Sequence, residues 1–201
     1  MSIVWPDQVR DYLIRTGRDL DYSCPLIELA AVQKFAALWP VLAGRRPPES
    51  LLDIGCGLAL IDVHLARAWP GVRVHLLDGD GTGAQDRGFK QTMTAWGDVA
   101  AGAAMMRANV PACPPVTIHA PRPFHLAVDL IISSRSWGHH YPVSVYAESV
   151  VRSLNPGGLV VLDIRTGTSG LTQLAALGFE VVCRIPDPSE KCGRFALEYA
   201  P

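Results

Sequence analysis

The sequence predicts an α/β protein with a Rossmann-like, doubly wound and mostly parallel seven-stranded sheet that ends in an antiparallel hairpin. Three observations carry this prediction. From Leu51 onward, short apolar runs alternate with helical patterns, as in βαβ units. The first run ends in a glycine turn, 53-DIGCG-57, and the last two runs have no helical pattern between them. We expect one domain of 201 residues, with a helical N-terminal cap over 1–48 and the sheet core over 49–201.

The individual elements follow from apolar periodicity. Strands that are buried on both faces form continuous apolar runs, and five such runs are predicted parallel strands: 51–54, 72–77, 116–118, 128–133 and 159–164. Helical patterns predict helices over 60–68, 98–108, 143–154 and 169–177. The stretch 155-NPGG-158 predicts a turn between a helix and a strand. Residues 179–185 and 194–199 predict the antiparallel hairpin.

The N-terminal cap is predicted to contain two helices, over 7–16 and 25–42. Its aromatic side chains allow two interpretations. They pack these helices onto the sheet, or one or two of them line a substrate pocket. The aromatic residues are Trp5, Tyr12, Tyr22, Phe35 and Trp39.

Composition excludes several classes of protein. Apolar residues make up 49% of the chain and charged residues 18%, which predicts a folded globular domain. A net charge of −1 lacks the basic character of a nucleic-acid-binding protein. The apolar runs are too short for a bilayer, and the N-terminus does not resemble a secretory leader. Five scattered cysteines without CxxC spacing favour reduced thiols over disulfides or zinc. We therefore expect a cytoplasmic protein with no metal site and no nucleic-acid or membrane partner.

The glycine turn predicts a nucleotide site. Glycines after a strand allow a sharp turn and the close approach of a ligand. The next helix presents free N–H groups there. Asp78 ends the following strand, about 20 residues on, where an acid can accept hydrogen bonds from both ribose hydroxyls. Gly79 leaves room for the nucleoside.

The turn also discriminates between nucleotide classes. A dinucleotide site with the pattern G-x-G-x-x-G would have glycine at position 60, where this chain has Leu60. Asp53 would repel a pyrophosphate. The same acid suits a ligand that carries an ammonium group as well as a ribose.

At these residues the chain resembles the class I S-adenosylmethionine-dependent methyltransferases, whose first motif is an acid followed by G-x-G-x-G. In the form found here, 53-DIGCGLA-59, Ala59 replaces the third glycine. The resemblance implies S-adenosylmethionine as the cofactor, with its methionine end on Asp53 and the 55–57 backbone, its ribose on Asp78, and its adenine near His119. The complete set of candidate cofactor-binding residues is Asp53, Gly55, Cys56, Gly57, Asp78, Gly79, His119, Ala120 and Ser133.

The segment after the fourth strand, 133-SSRSWGHHYP-142, contains the candidate catalytic residues His139 and His140. A histidine can remove the proton of a hydroxyl acceptor near neutral pH. Gly138 favours His139 over its neighbour, because it gives the backbone freedom to bring that residue over the strand ends. The alternatives are a polar loop or a helix cap. A metal pair is disfavoured, because adjacent histidines rarely chelate one ion.

The leading hypothesis is therefore an enzyme that transfers a methyl group to a small molecule, at an oxygen. A loose similarity to small bacterial methyltransferases of sugar hydroxyls agrees with it. The absence of an N/D-P-P-Y/F motif argues against a DNA N-methyltransferase. A nicotinamide-dependent oxidoreductase and a non-catalytic binding module are the alternatives. The acceptor and the oligomeric state do not follow from the sequence. The polar loop 79–90 is predicted to be a lid.

Overall fold

The computed structural model describes residues 2–82, 88–93, 97–187 and 189–200, and it confirms the predicted α/β fold. Within these residues, seven strands form one sheet in the order β3-β2-β1-β4-β5-β7-β6. The strands are β1 (Ser50–Ile54), β2 (Arg73–Asp78), β3 (Val116–His119), β4 (Val128–Ser133), β5 (Leu154–Arg165), β6 (Phe179–Ile185) and β7 (Cys192–Tyr199). The predicted lid over 79–90 includes residues 83–87, which lie outside the described residues.

The order of the strands places the ligand crevice. Strands β1 to β5 pair in parallel, and β7 lies antiparallel between β5 and β6, as the terminal hairpin predicted. The chain direction across the sheet reverses between β1 and β4, which are neighbours. In open α/β sheets, ligands bind outside the carboxyl ends of the strands at such a switch point.

Helices cover both faces of the sheet. They are α1 (Asp7–Arg15), α2 (Leu20–Ala43), α3 (Leu60–Ala68), α4 (Val99–Asn109), α5 (Ala147–Ser153) and α6 (Gly170–Ala176). Helices α1 to α4 contribute to one apolar core, through residues such as Leu13, Leu38 and Met105. Helices α5 and α6 contribute to a second core, through Val150 and Leu174.

Two helices start several residues away from their predicted starts. Helix α2 begins at Leu20 rather than at residue 25, because Asp19 caps it by accepting a 2.9 Å hydrogen bond from the Tyr22 N–H. The helix predicted over 143–154 is a short 3-10 turn, Val143–Val145, followed by α5 from Ala147.

The predicted turn at 155–158 is instead a bulge inside β5. Leu154 pairs with Val128, and Leu159 pairs with Leu130, so four residues of β5 oppose one residue of β4. The Pro-Gly-Gly chemistry shapes this bulge, since Gly157 has φ +76°. The Asn155 amide donates a 2.7 Å hydrogen bond to Asp129 across it.

The expectation that every apolar stretch is too short to cross a bilayer does not hold for helix α2, which has 24 residues. By length and composition alone, it is the one helix of the described residues that could cross a membrane. Soluble core helices and signal sequences pass the same test, so the evidence for a span is weak. In this fold α2 packs on α3, with Phe35 5.4 Å from His64 between ring centroids.

A buried ion pair fastens the terminal hairpin to the sheet. Asp163 of β5 and Arg194 of β7 lie opposite each other in register, and both are almost fully buried. Arg194 donates from Nε to Asp163 Oδ1 at 2.7 Å and from Nη2 to Oδ2 at 3.0 Å. Arg194 Nη2 also lies 2.7 Å from Oδ2 of the buried Asp187. One guanidinium therefore contacts both buried carboxylates, and Arg135, 3.7 Å from Asp187, supplies the second positive charge.

We expect Arg194→Leu to lower the free energy of unfolding by about 3–5 kcal/mol, because it leaves the fully buried Asp163 carboxylate without its cation. Urea unfolding measures this loss. Arg152→Ala is the control, since its exposed pair with Glu148 should cost about 0.5 kcal/mol or less. A loss in Arg194→Leu as small as that of the control would contradict the proposed role of the buried pair.

Candidate functional site

A pocket of about 510 Å³ opens beside the glycine turn at the carboxyl ends of β1 and β4. Three parts of the chain form its walls: the N-terminal helices, the β1–α3 turn and the loop after β4. Its polar residues and the residues of the glycine turn are Tyr12, Arg18, Lys34, Asp53, Gly55, Cys56, Gly57, Ser134 and Arg135. The predicted glycine turn and Asp53 therefore lie in one pocket, and of the five aromatic residues in the cap, Tyr12 is the one that lines it.

Close packing explains the glycine at position 55. Gly55 has φ +78°, and a Cβ built on it would lie 1.9 Å from Ser136 Oγ. Gly57 has φ +53° with no atom within 4 Å of its Cβ position. Ala59, at the place of the third glycine, keeps φ +53°, so the left-handed conformation is accepted there at some cost in strain.

Two buried carboxyl groups lie behind the turn. Asp53 in β1 is 4% exposed, and Asp62 in α3 is fully buried. Neither oxygen of Asp62, nor Oδ1 of Asp53, receives a hydrogen bond from a donor in the described residues. Burial raises the pKa of Asp53 to about 7. Burial and the neighbouring Asp53 charge raise the pKa of Asp62 well above its usual range.

Cations face Asp53 across the pocket. Lys34 of α2, Arg18 and Arg135 all line it. Burial lowers the pKa of Lys34, and the positive charge of Arg135 adds to this effect. Arg135 has φ +55° and reaches to 3.7 Å from Asp187. The pocket thus presents one acid and several cations to a ligand.

Asp78 lies at the end of β2, where the sequence predicts a ribose-binding acid, but its carboxylate already has backbone donors. Oδ2 accepts from the Gly57 N–H at 2.8 Å, and Oδ1 accepts from the N–H groups of Gly79 and Gly97 at 2.8 and 3.1 Å. Burial raises the pKa of Asp78, and these hydrogen bonds oppose the rise. A Cβ on Gly97 would lie 2.3 Å from Oδ2.

The remaining candidate cofactor residues lie at three places: next to Asp78, in the glycine turn and at the end of β4. His119 pairs with Asp78 in the sheet and is exposed, and the Ala120 N–H donates to the Asp78 carbonyl at 2.8 Å. Cys56 is buried in the turn, where burial raises the pKa of its thiol. Ser133 is engaged in structure, because its hydroxyl donates to the Ile54 carbonyl at 2.8 Å. The serine of this strand end that lines the pocket is Ser134.

The two candidate catalytic histidines lie next to the pocket without lining it. Their ring centroids are 4.8 Å apart. His139 is buried, and its Nδ1 has no hydrogen-bond partner in the described residues. Burial, together with the His140 and Arg165 charges, lowers the pKa of His139 to about 4. His140 is half-buried, and its Nδ1 lies 3.4 Å from the carbonyl oxygen of Gly88.

A second pocket, of about 500 Å³, lies beside the histidine loop toward helix α6. Gly138 contributes to its wall, so the loop 133–142 separates the two pockets. None of the described residues that line this second pocket carries a charge; they are Phe89, Gln91, Gly138, Pro142, Val143, Gly167, Thr168, Ser169, Gly170 and Gln173.

Residues of this site that the sequence did not single out include Arg18, Lys34, Asp62 and Arg135. Lys34 lies in a helix that was interpreted as a cap, and Arg135 follows the predicted strand end without a recognisable motif. Asp62 offers a usable signal. It interrupts the apolar pattern 58-LALIDVHLA-66 on a short helix whose neighbouring residues Ile61 and Val63 are buried.

We expect Gly55→Ala to destabilise the protein through the contact with Ser136, because the new Cβ would overlap Oγ. The double variant Gly55→Ala/Ser136→Gly removes the overlapping atoms. Its free energy of unfolding should fall below that of Ser136→Gly by only about 1–2 kcal/mol, the cost of a Cβ in the left-handed conformation. Urea unfolding of both variants and of Ser136→Gly measures the coupling.

Gly57→Ala is the matched control, because its φ is also positive but its Cβ position is open. It should show the strain cost alone. If Gly55→Ala lowers the free energy of unfolding equally with and without the Ser136 side chain, the contact with Ser136 is not the reason for a glycine at position 55.

Comparison with known proteins identifies the fold. The sequence matches no protein-family model and no curated protein. A Nostoc punctiforme PCC 73102 protein assigned as an O-methyltransferase superposes with TM-score 0.61 at 13% identity, over 87% of this chain and 57% of that chain. The PH0226 protein from Pyrococcus horikoshii OT3 gives TM-score 0.60 at 14% identity, over 84% and 91%.

The S-adenosylmethionine-dependent methyltransferase SibL, in its apo form, gives TM-score 0.53 at 18% identity, over 76% of this chain and 50% of that chain. The chain therefore spans about half the length of SibL and little more of the Nostoc protein. What it shares with these structures is the Rossmann-like fold of S-adenosylmethionine-dependent methyltransferases.

Proposed function

We propose that this protein transfers the methyl group of S-adenosylmethionine to a small-molecule acceptor, at an oxygen atom. One observation carries the proposal: a buried acid with an unpartnered oxygen, Asp53, lies beside a glycine turn and faces the cations Lys34 and Arg135. The methionine end of the cofactor carries an ammonium and a carboxylate. A pocket with both signs of charge fits both groups, and the shared fold supports the same interpretation.

The residues present also fit the remainder of the cofactor. Asp53 would receive the ammonium group, and Lys34 with Arg135 would receive the carboxylate. Asp78 Oδ2 accepts from one backbone N–H and retains capacity for a ribose hydroxyl. His119 and Ala120 follow β3 next to Asp78, where an adenine would lie.

The loop 133–142 would act between cofactor and acceptor. When bound, the cofactor supplies an electrophilic methyl group on a sulfonium. The protein must hold an acceptor oxygen in line with that group and accept its proton. His139 is neutral at pH 7, because burial lowers its pKa to about 4, and its Nδ1, unpartnered in the described residues, would be the atom that accepts the proton as that proton leaves the acceptor. The uncharged walls of the second pocket suit a neutral hydroxyl compound.

The alternatives lack a supporting observation. An oxidoreductase with a dinucleotide would place its pyrophosphate near Asp53, which would repel it. Leu60 is buried at the place of the glycine that such a site uses. A binding module without catalysis differs from the proposal only in turnover. We further propose a cytoplasmic location, because all five cysteines are free.

We expect the protein to bind S-adenosylhomocysteine in the micromolar range and NAD much more weakly, as measured by calorimetry. Asp78→Ala should weaken binding of S-adenosylhomocysteine by about 1.5–3 kcal/mol, the value of a hydrogen bond to a charged group. Asp80→Ala, an exposed acid two residues away, is the control. Preference for NAD would refute the cofactor, and unchanged affinity in Asp78→Ala would remove Asp78 from the site.

We expect His139→Asn to lower kcat by about 10²–10⁴ with little change in cofactor affinity. The low pKa of His139 fixes the sign of the pH dependence. The neutral base is present above pH 5, so kcat stays level toward pH 8 and falls only as pH approaches about 4. His140→Asn is the matched control. Full activity in both variants would leave orientation of the acceptor as the whole mechanism.

A further inference from the structure

Two adjacent carboxyl groups behind the pocket have the geometry of a pair that holds a proton. The Asp53 and Asp62 side chains lie within hydrogen-bonding contact of each other. Asp62 has no exposed surface, and its two oxygens and Asp53 Oδ1 have no donor in the described residues. Two carboxylates can form a hydrogen bond only when one of them carries a proton. A buried, unpaired and ionised pair would carry a large desolvation cost.

The charges around the pair show which acid keeps the proton. Asp53 lines the pocket and has Lys34 of α2 on that side. The negative charge of Asp78 in β2 opposes ionisation of Asp53. The charge that acts on Asp62 is that of Asp53. The ionised form is therefore favoured at Asp53, and the protonated form at Asp62.

We propose that Asp62 is a positioning residue that stays protonated and donates its hydroxyl hydrogen to Asp53, so that Asp53 presents a single, oriented negative charge to an ammonium group. When such a group binds, any proton on Asp53 passes to solvent and the proton on Asp62 remains. The pair then carries one negative charge against one positive charge. The ammonium part of this inference rests on the proposed function, whereas the proton on Asp62 does not.

This arrangement explains why an acid occupies the inside of α3. An ionised Asp62 would add a second negative charge that no cation of the described residues offsets. Within those residues, no group of three or more His, Cys, Asp or Glu side chains gathers to hold a metal ion. As a neutral acid, Asp62 fixes the Asp53 carboxylate without changing the charge of the pocket.

The first test uses the ligand-free protein. Infrared spectra at pH 8 should show the C=O stretch of a protonated, buried carboxyl group. The band should disappear in Asp62→Asn and persist, shifted, in Asp53→Asn. Asp11→Asn, on the exposed surface of α1, is the control and should leave it unchanged. Absence of the band in the wild-type protein, or its survival in Asp62→Asn, would overturn the proposal.

The second test measures binding of S-adenosylhomocysteine by calorimetry. Asp62→Asn keeps a donor of similar size and should bind within about threefold of wild type. Asp62→Leu removes the donor and should weaken binding by roughly 10–100-fold, the ratio that corresponds to one hydrogen bond to a charged group. Binding of 5′-methylthioadenosine, which lacks the amino-acid end, should not change between the two variants. Thermal melts establish that both variants are folded.

The number of protons released on ligand binding distinguishes a positioning role of Asp62 from a purely structural one. At pH 7, wild type should release a fraction of a proton on binding S-adenosylhomocysteine, measured in buffers of different ionisation enthalpy, and Asp53→Asn should release none. Equal weakening in Asp62→Asn and Asp53→Asn would show that Asp62 carries the charge, and would overturn the assignment. If wild type does not bind S-adenosylhomocysteine while the infrared band is present, the proposed function fails and the protonated Asp62 stands.

Discussion

The glycine turn beside the pocket depends on one buried carboxylate. Asp78 accepts hydrogen bonds from the N–H groups of Gly57, Gly79 and Gly97, so it joins the glycine turn, the end of β2 and the approach to α4. The three glycines are 22 and 18 residues apart in sequence, as their residue numbers show. An acid at the end of β2 therefore holds the backbone that a ligand would contact. The same hydrogen bonds keep the carboxylate in place, although burial disfavours its charge.

Apart from Asp78, whose oxygens accept from backbone N–H groups, the buried acids Asp53, Asp62 and Asp163 are of two physical kinds. Asp163 is fully buried but has two hydrogen bonds from Arg194, so its charge is matched and its role is to hold the hairpin. Asp53 and Asp62 are equally buried and have unpartnered oxygens. Folding alone gains nothing from an unmatched buried carboxyl group. The contrast is why we assign the first acid to structure and the second pair to the candidate site.

The sequence predicted most of the fold, because the evidence for each element is local. Apolar runs located six of the seven strands to within two residues, whereas β5 begins five residues before its predicted start. Local patterns failed where a distant contact or a cap decided the outcome. Asp19 starts α2 five residues early, and pairing with β4 turns 155–158 into a bulge rather than a turn.

The site was predictable only where a motif is contiguous. Asp53, Gly55 and Gly57 form a short recognisable stretch, and the pocket contains all three. Ser136 bears on Gly55 from more than 80 residues away, as the two residue numbers show, and no local pattern predicts that contact. The sequence left open whether the aromatic residues of the cap only pack on the sheet or also line a pocket, and the cap supplies Tyr12 and Lys34 to the pocket. The cap is therefore part of the site.

Neighbouring residues of the loop 133–142 contribute to different parts of the site. Ser134 and Arg135 line the first pocket, and Gly138 lines the second. Between them, Trp137 is fully buried and donates from Nε1 to the Val143 carbonyl at 2.8 Å. A fully buried tryptophan fixes the loop on both sides, since any shift would open a cavity of aromatic size. The two pockets therefore keep a set relative position, which is what an in-line transfer between two bound molecules requires.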